Sequence, residues 1–199
     1  MENIIQTNRK FFNRIAKWYE INPFKKINKR MFEKISRLIK VKDNSRVLDA
    51  GCGIGSLLQI IYSEGKNLEL YGIDISKEML KIAGQKLNDN AELSLKSVEK
   101  IDFKDRSFDY IFSIDAFHHY ANQKLAIRNF YRILKNGGKL IVVDFSFGII
   151  GNWIFHHIEI GNTGMHTNLE YKQLFKGYKF RNIQQRKTGL FTIVTTGVK

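Results

Sequence analysis

The sequence predicts an α/β fold built on a doubly wound parallel sheet. Short apolar runs alternate with amphipathic helical patterns through the centre of the chain, which is typical of strands joined by crossover helices. A glycine-rich segment at 51–55 directly follows the first of those runs. The 199 residues suit one domain with modest additions, and 43% apolar with 26% charged residues exclude wholesale disorder and a fibrous repeat.

Five strands are predicted where the apolar runs occur, at 46–49, 68–73, 93–95, 108–113 and 139–145. The last run is almost continuously apolar, as expected for a strand buried on both faces. Apolar residues at helical spacing predict helices over 56–63, 76–87 and 125–134. Ser76 is the expected N-cap of the second helix, and the third is expected to stop at Asn136-Gly137-Gly138.

The two ends of the chain differ from this alternating centre. After a helical pattern at 168–176, runs at 179–183 and 190–198 predict an antiparallel hairpin at the edge of the sheet. Near the other end, a helix with a basic face is predicted from apolar residues at helical spacing: Phe24, Ile27, Met31, Phe32, Ile35, Leu38 and Ile39. We therefore expect a basic helical extension or lid over 1–45 and a core domain over 46–199.

The formal net charge of +14 is concentrated at the same two ends. Residues 1–46 hold 13 Lys and Arg against 4 Asp and Glu, residues 47–145 hold 13 of each, and residues 146–199 hold 7 against 2. A basic balance can indicate nucleic acid, an anionic membrane or an acidic substrate. Because the centre is neutral, we expect any such partner to contact the ends.

The glycine segment predicts a nucleotide-type cofactor. It opens a helix, whose first N–H groups then face a ligand, and Asp74 closes the next strand, where a carboxylate can accept ribose hydroxyls. NAD and S-adenosylmethionine both fit that pattern. Asp49 favours S-adenosylmethionine, because a carboxylate there repels a pyrophosphate and attracts an ammonium group and a sulfonium. Ser56 also stands where an NAD site has its third glycine.

Four segments, VLDAGCGIGSLL, YGIDIS, SFDYIFSIDAFHHY and YRILKNGGKLIVVDF, resemble the successive motifs of class I S-adenosylmethionine-dependent methyltransferases. The preceding segment FFNRIAKWYE is similar to the opening of the ubiquinone/menaquinone-type methyltransferases. The resemblance covers residues 46–145. It implies a Rossmann-like sheet of seven strands in the order 3-2-1-4-5-7-6, with the last strand antiparallel, and an acceptor-side insertion near 145–170.

The resemblance also implies the residues that contact the cofactor: Tyr19, Asp49, Gly51, Gly53, Asp74, Ile75, Ser97, Val98 and Ile114. Asp49 and the two glycines are expected to face the methionine moiety, and Asp74 the ribose. Ile75 and Val98 are expected at the adenine, Ile114 on the methyl-transfer side and Tyr19 over the cofactor. Many relatives have an aspartate where this chain has Ser97, which makes Glu99 an alternative partner for the adenine.

Two histidines that follow the fourth strand, His118 and His119, are the candidate catalytic residues, since a histidine there can act as a general base. No metal site is expected, because His156, His157 and His166 lack carboxylates at ligand spacing. The one cysteine, Cys52, is interpreted as a small packing residue.

The sequence alone is compatible with three functions. A small-molecule or lipid-like acceptor is favoured by the aromatic, apolar tract at 145–160, FSFGIIGNWIFHHIEI. An RNA methyltransferase is suggested by the basic ends, although the motif Asn/Asp-Pro-Pro-aromatic of base amino-group enzymes is replaced by Ile114-Asp115-Ala116-Phe117. A non-catalytic cofactor-binding protein is the third. We expect no specific nucleic-acid partner.

The N-terminal region has two interpretations. In the first, the helix predicted from Phe24 to Ile39 packs on the sheet with a solvated basic face. In the second, it contacts anionic lipid or an acidic substrate as a peripheral lid. For a lid, Phe11, Phe12, Trp18 and Phe32 are expected to exclude water from the reacting centre. One cysteine and an N-terminus without a signal-peptide pattern predict a cytoplasmic protein.

Overall fold

The computed structural model describes residues 1–21, 24–65, 67–148, 151–153, 157 and 162–199, and only the backbone of 24–28. Seven strands form one sheet in the order β3-β2-β1-β4-β5-β7-β6. The strands are β1 Arg46–Ala50, β2 Glu69–Asp74, β3 Glu92–Leu95, β4 Phe108–Ile114, β5 Leu134–Phe145, β6 Arg181–Lys187 and β7 Thr192–Val198. The predicted fold class and strand order are confirmed.

The first five strands are parallel, and the terminal hairpin is antiparallel. In the centre, Leu48 of β1 lies between Tyr71 of β2 and Ile111 of β4. On the far side, β7 runs antiparallel to β5, with Ile141 opposite Thr196. The carboxyl ends of β1, β2 and β4 therefore meet at one edge of the sheet, where ligands bind in doubly wound folds.

The α-helices whose two ends both lie in the described residues are α1 Glu2–Ile21, α2 Phe24–Ile39, α3 Ser56–Ser63, α4 Lys77–Leu87, α5 Gln123–Ile133 and α6 Asn168–Gly177. Ser76 caps α4 as predicted, because its hydroxyl accepts the N–H of Met79. The expected end of α5 was wrong. The helix stops at Ile133 and β5 starts at Leu134, so the glycines at 137 and 138 lie within the strand.

The two faces of the sheet bury separate apolar clusters. On one face, Phe130 of α5 and Phe175 of α6 pack against the strands. On the other, Ile35 of α2 and Leu58 of α3 are fully buried. The helix predicted near 24–39 therefore packs on the core, as the first interpretation expects, and its exposed basic side is compatible with both interpretations. The side chains of 24–28 lie outside the described residues.

Helix α1 adds a further layer over α4. The Asn13 side chain accepts hydrogen bonds from the Ser76 hydroxyl at 2.7 Å and from the Glu78 N–H at 3.3 Å. Lys86 near the end of α4 forms an ion pair with Glu20. Because these contacts occur at both ends of α4, α1 runs along it. Among the described helices, none is long and apolar enough to cross a membrane.

Candidate active site

A cavity of about 1050 Å³, including its open mouth, lies at the carboxyl ends of β1, β2 and β4. The glycine loop after β1 forms its floor, and residues after β2, β3 and β4 form its walls. Helix α1 lies across the top. Of the residues predicted to contact a cofactor, seven line it: Tyr19, Gly51, Gly53, Asp74, Ile75, Val98 and Ile114.

The glycine loop is shaped to let a ligand approach its backbone. Gly51 has φ +75°, and a Cβ there would lie 2.7 Å from the Cβ of Ala116. Gly53 has φ +51°, and a Cβ there would meet no described atom within 4 Å, so its open side faces the cavity. Both positions favour glycine for backbone reasons. The loop therefore leaves space against its backbone at Gly53 and packs closely on Ala116 at Gly51.

Asp74 connects the glycine loop to the start of α4. Its Oδ2 accepts the N–H of Gly53 at 2.9 Å, and its Oδ1 accepts the N–H of Ser76 at 2.8 Å. Burial raises the pKa of this carboxyl, while the backbone hydrogen bonds oppose the increase. The carboxylate also lines the cavity, and its remaining lone pairs can accept ligand hydroxyls.

Asp49 is buried behind the glycine loop, with 3% of its surface exposed, and is not among the residues lining the cavity in the described chain. Desolvation, with a smaller contribution from the Asp74 charge, raises its pKa to about 8. At neutral pH the carboxyl is therefore mostly protonated until a cation comes close. A cation nearby would favour the carboxylate form, so this arrangement suits a ligand with an ammonium or a sulfonium.

Glu99, rather than Ser97, lines the wall next to Val98. The Ser97 hydroxyl donates to the Glu99 carboxylate, whose other oxygen accepts the N–H of Asn122 at 3.0 Å. Ser97 is buried and is not among the lining residues of the described chain. Its hydroxyl orients Glu99, which is the carboxylate on this part of the cavity wall.

Helix α1 is the roof of the cavity. Ile5, Asn8, Phe12 and Tyr19 line it from above. The Asn8 amide donates to the carbonyl of His119 at 2.8 Å, and the rings of Phe12 and His119 meet edge-on with centroids 5.0 Å apart. These contacts hold the roof to the loop after β4.

Of the four aromatic residues expected to exclude water, Phe12 and Phe32 line the cavity. Trp18 does not, because 68% of its surface is exposed on the outer side of α1. That expectation was wrong for Phe11, which is not among the lining residues of the described chain, and for Trp18. Tyr19, the next residue, takes the inward position, since successive helical residues lie about 100° apart.

The two candidate catalytic histidines have different surroundings. His119 lines the cavity. His118 is 1% exposed, and its Nδ1 lies 2.6 Å from Oδ1 of Asp144. The other Asp144 oxygen accepts the hydroxyl of Tyr171 at 2.8 Å. The structure therefore places His118 in a buried polar network away from the cavity and leaves His119 as the candidate base.

In the described chain, one group of side chains has metal-ligand spacing: Asp115, His118 and Asp144 have ligand atoms within 4.8 Å of one another. Burial raises the pKa of Asp144, but the His118 charge and hydrogen bonds from His118, Tyr171 and the Phe145 N–H lower it below its ordinary value. A metal ion would have to displace these partners. We assign no metal to the cluster.

Sequence reasoning missed Tyr120. Its hydroxyl donates to the Ala50 carbonyl at 2.8 Å and pairs with the Ser113 hydroxyl at 2.8 Å, and its ring lines the cavity. It thereby connects the end of β1 to β4. The motif SFDYIFSIDAFHHY holds this tyrosine, but nothing in the motif indicates a contact 70 residues back along the chain.

Part of the aromatic tract at 145–160 is described. Phe145 and Phe147 stack with centroids 5.7 Å apart, and the Phe147 N–H donates to Asn152 at 2.8 Å. The positions 149, 150, 154–156 and 158–160, which include His156 and Glu159, lie outside the described residues.

Comparisons with known proteins agree with this geometry. Residues 41–189 match the family model described as "Methyltransferase domain". An uncharacterized protein of Methanocaldococcus jannaschii is 31% identical over 191 residues, covering 96% of this chain and 66% of the relative. A demethylmenaquinone methyltransferase of Thermotoga maritima is 28% identical over 138 residues, covering 68% of this chain and 60% of the relative. The chain thus spans about two thirds or less of each relative's length.

Among solved structures, magnesium protoporphyrin IX methyltransferase from Synechocystis PCC 6803, with bound SAH, superposes with a TM-score of 0.76. The two share 17% identity, and the match covers 98% of this chain and 99% of that one. The likeness shows a common fold. The family match over residues 41–189 shows that this chain belongs to the methyltransferase-domain family, and its fold is that of the class I S-adenosylmethionine-dependent methyltransferases.

Proposed function

We propose that the protein transfers a methyl group from S-adenosylmethionine to a small-molecule or lipid-like acceptor. The observation that carries this proposal is the two-part cavity. Its floor combines the glycine loop with the Asp74 carboxyl, and the Asp49 carboxyl is buried behind that loop. Its upper part is walled by Phe12, Tyr19 and Phe32. Such an apolar wall suits an apolar acceptor. The similar proteins named for demethylmenaquinone and magnesium protoporphyrin IX support the small-molecule class.

The floor would hold the cofactor by charge and hydrogen bonding. Asp49 would face its ammonium and sulfonium through the glycine loop, and Asp74 would accept the ribose hydroxyls. Ile75 and Val98 would pack on the adenine. When bound, S-adenosylmethionine supplies a methyl carbon already activated by the sulfonium, so the protein mainly contributes alignment and desolvation.

The roof and the loop after β4 provide those contributions. Phe12 covers the cavity and packs on His119, which keeps water from the space between them. His119 is the candidate to accept a proton from an acceptor that carries one. Ile114, at the end of β4, lines the same side of the cavity.

The test is a labelling experiment with methyl-tritiated S-adenosylmethionine. The purified protein is incubated separately with polar metabolites, extracted lipids and total RNA, and the label in each fraction is counted. We expect label in one of the first two fractions, and none with the variant Asp74→Ala. Label in RNA would establish the RNA methyltransferase instead. Cofactor binding without label in any fraction would indicate the non-catalytic alternative.

A further inference from the structure

The outer surface of α1 and α2 takes no part in the proposed reaction. We propose that this surface, together with the tip of the β6–β7 hairpin, docks the protein on an anionic lipid bilayer. We call it the docking face. It consists of exposed residues from three elements: Lys10, Arg14, Lys17, Trp18 and Ile21 of α1, Lys29, Arg30, Lys34 and Arg37 of α2, and Leu190 and Phe191 of the hairpin tip.

On α1, cations and large apolar side chains share the outward stripe. Arg14, Lys17, Trp18 and Ile21 are spaced by three or four residues, so they lie on one side of the helix. This side is opposite to the one that lines the cavity. Trp18 is 68% exposed and Ile21 is 84% exposed, although both are large and apolar. A tryptophan among lysines and arginines is the composition that sits at a membrane–water interface.

On α2, the outward side is almost entirely cationic. Lys29, Arg30, Lys34 and Arg37 are exposed, and Glu33 is the one acidic residue of the helix. Glu33 lies 3.9 Å from Lys29 and 3.5 Å from Arg37 in surface ion pairs, which leaves a clear excess of positive charge.

The two helices lie side by side on the same face of the sheet. Helix α1 packs on α4 and α2 packs on α3, and α3 and α4 are neighbours on that face. Helices α1 and α2 also contact each other, so their outward sides are neighbouring exposed surfaces. Lys34 extends the surface further, because its Nζ donates to the Thr188 carbonyl at 2.6 Å and brings the hairpin tip alongside α2. At that tip Leu190 is 82% exposed and Phe191 is 47% exposed.

The mixture of charges and apolar groups favours a bilayer over nucleic acid. Phosphates of either partner would attract the cations, but only a bilayer would also bury Trp18, Ile21 and Leu190 in an apolar environment. The docking face is independent of the reaction. Its consequence for the acceptor rests on the proposed function: α1 has the docking face on one side and the cavity on the other, so docking would bring the cavity to the source of a lipid-like acceptor.

The test measures binding of the whole protein to vesicles by sedimentation. Vesicles of phosphatidylcholine with about one third phosphatidylglycerol are compared with vesicles of phosphatidylcholine alone. We expect binding to the anionic vesicles to be tenfold tighter or more, and to weaken with salt. In the variant Trp153→Phe, Trp18 is the one remaining tryptophan, and its emission is expected to shift to the blue on binding.

A matched pair of variants separates the effect of the docking face on vesicle binding from the effect of the net charge. Arg14→Glu, Lys17→Glu and Arg30→Glu together reverse three charges on the docking face. The control combines Lys124→Glu, Arg128→Glu and Lys176→Glu, which reverse three exposed charges on α5 and α6 across the sheet. We expect the first set to weaken vesicle binding about tenfold or more, and the second to change it by less than about threefold. Both should bind S-adenosylhomocysteine as the parent does.

Three results would overturn the docking face: equal binding to neutral vesicles, an equal loss in the control set, or tighter binding to RNA than to anionic vesicles. None of these readouts uses turnover. Vesicle binding without methyl transfer would therefore refute the proposed function alone. Methyl transfer by a protein that does not bind vesicles would refute the docking face alone.

Discussion

Asp49 links the electrostatics of the cavity to the stability of the protein. Its pKa is raised from 3.8 to about 8 by burial and by the charge of Asp74. Between these two pH values the folded, cofactor-free protein retains a proton that the unfolded chain has lost. The contribution of Asp49 to stability therefore declines as the pH rises from about 4 to about 8. A cationic ligand would offset that penalty, because it stabilises the charged carboxylate.

We predict that cofactor binding releases a proton from Asp49. At about pH 7 the free protein holds the carboxyl mostly protonated, and a bound ammonium and sulfonium favour the carboxylate, so the release approaches about one proton. Calorimetric titration with S-adenosylmethionine in two buffers of different ionisation enthalpy measures it. The variant Asp49→Asn corrects for the ligand's own titration. Equal proton release by parent and variant would contradict the role given to Asp49.

His118 and His119 offer a matched comparison of a buried and a cavity-facing histidine. His118→Ala leaves Asp144 with one partner fewer in the core, and we expect unfolding to become easier by about 3 kcal/mol, which denaturant titration measures. His119→Ala should leave S-adenosylhomocysteine binding intact and lower turnover about 100-fold or more where the acceptor carries a proton. If His118→Ala alone lost turnover at unchanged stability, the two assignments would be reversed.

The Asp144 network also determines how the stability of the folded protein changes at acidic pH. Its pKa lies below the ordinary value of 3.8, so its stabilising contribution is complete above about pH 4 and is lost as the pH falls through the lower folded value. Thermal unfolding of the parent and of Asp144→Asn should therefore converge as the pH drops below about 4. A difference that stays constant down to about pH 2 would show that Asp144 acts without its charge.

The residues of the site were predictable where a motif fixes the backbone. Gly51, Gly53 and Asp74 line the cavity because each stands at the end of a strand whose position follows from its apolar run. His118 was not distinguishable from His119 by sequence, since the direction of each ring depends on the short helical turn at 117–119 and on Asp144, 26 residues later. Nothing in the sequence indicated that Asn8 lines the cavity, because its hydrogen-bond acceptor is the backbone carbonyl of His119.

At the scale of elements, α1 is the segment whose removal is most informative. It buries Ile5, Asn8 and Ala16, and its other core contacts are to Ile54 and Met79 in a small cluster separate from the two main ones. We predict that deleting residues 1–21 abolishes turnover and leaves the sheet folded, because both main clusters remain. Methyl transfer and far-ultraviolet circular dichroism provide the two readouts.

Because the shortened protein could lose turnover by aggregating, a point variant in the full-length chain serves as a control. Phe12→Ala keeps the helix but removes the ring that packs on His119. We expect it to lower turnover by a smaller factor than the deletion, with an unchanged circular dichroism spectrum. Full turnover in both proteins would exclude a role for α1 as a roof.

Among the elements, the strands and their order were the most predictable, and the connections were the least. Apolar runs located β1, β2 and β4 to within a residue or two, because burial on both faces leaves a continuous apolar signal. The start of β5 was missed because Leu134 pairs with Phe108 and the register then shifts, so that Lys139 is the next paired residue, opposite Tyr110. The intervening Lys-Asn-Gly-Gly has no strand pattern. Likewise, β6 is mostly exposed, and its polar residues gave only an approximate start.

At the scale of the molecule, the net charge of +14 does not specify a nucleic-acid partner. The cations of α1 and α2 share their exposed surface with the large apolar side chains of Trp18 and Ile21, which a phosphate backbone does not bury. We predict binding to duplex DNA and to RNA that is weaker than about 1 μM at physiological salt and independent of sequence. Fluorescence anisotropy with several unrelated oligonucleotides tests this, and a tight, sequence-dependent complex would contradict it.

The single thiol of the chain sits in the wall of the cavity. Cys52 is 7% exposed and packs in the apolar cluster that includes Leu58. Burial, with the charges of Asp74 and Asp49, raises the pKa of its thiol. A thiol reagent therefore reacts only when the glycine loop and this cluster open. The labelling rate of the unmodified protein then measures how often this region opens, and its decrease with added S-adenosylhomocysteine measures how firmly a ligand keeps it closed.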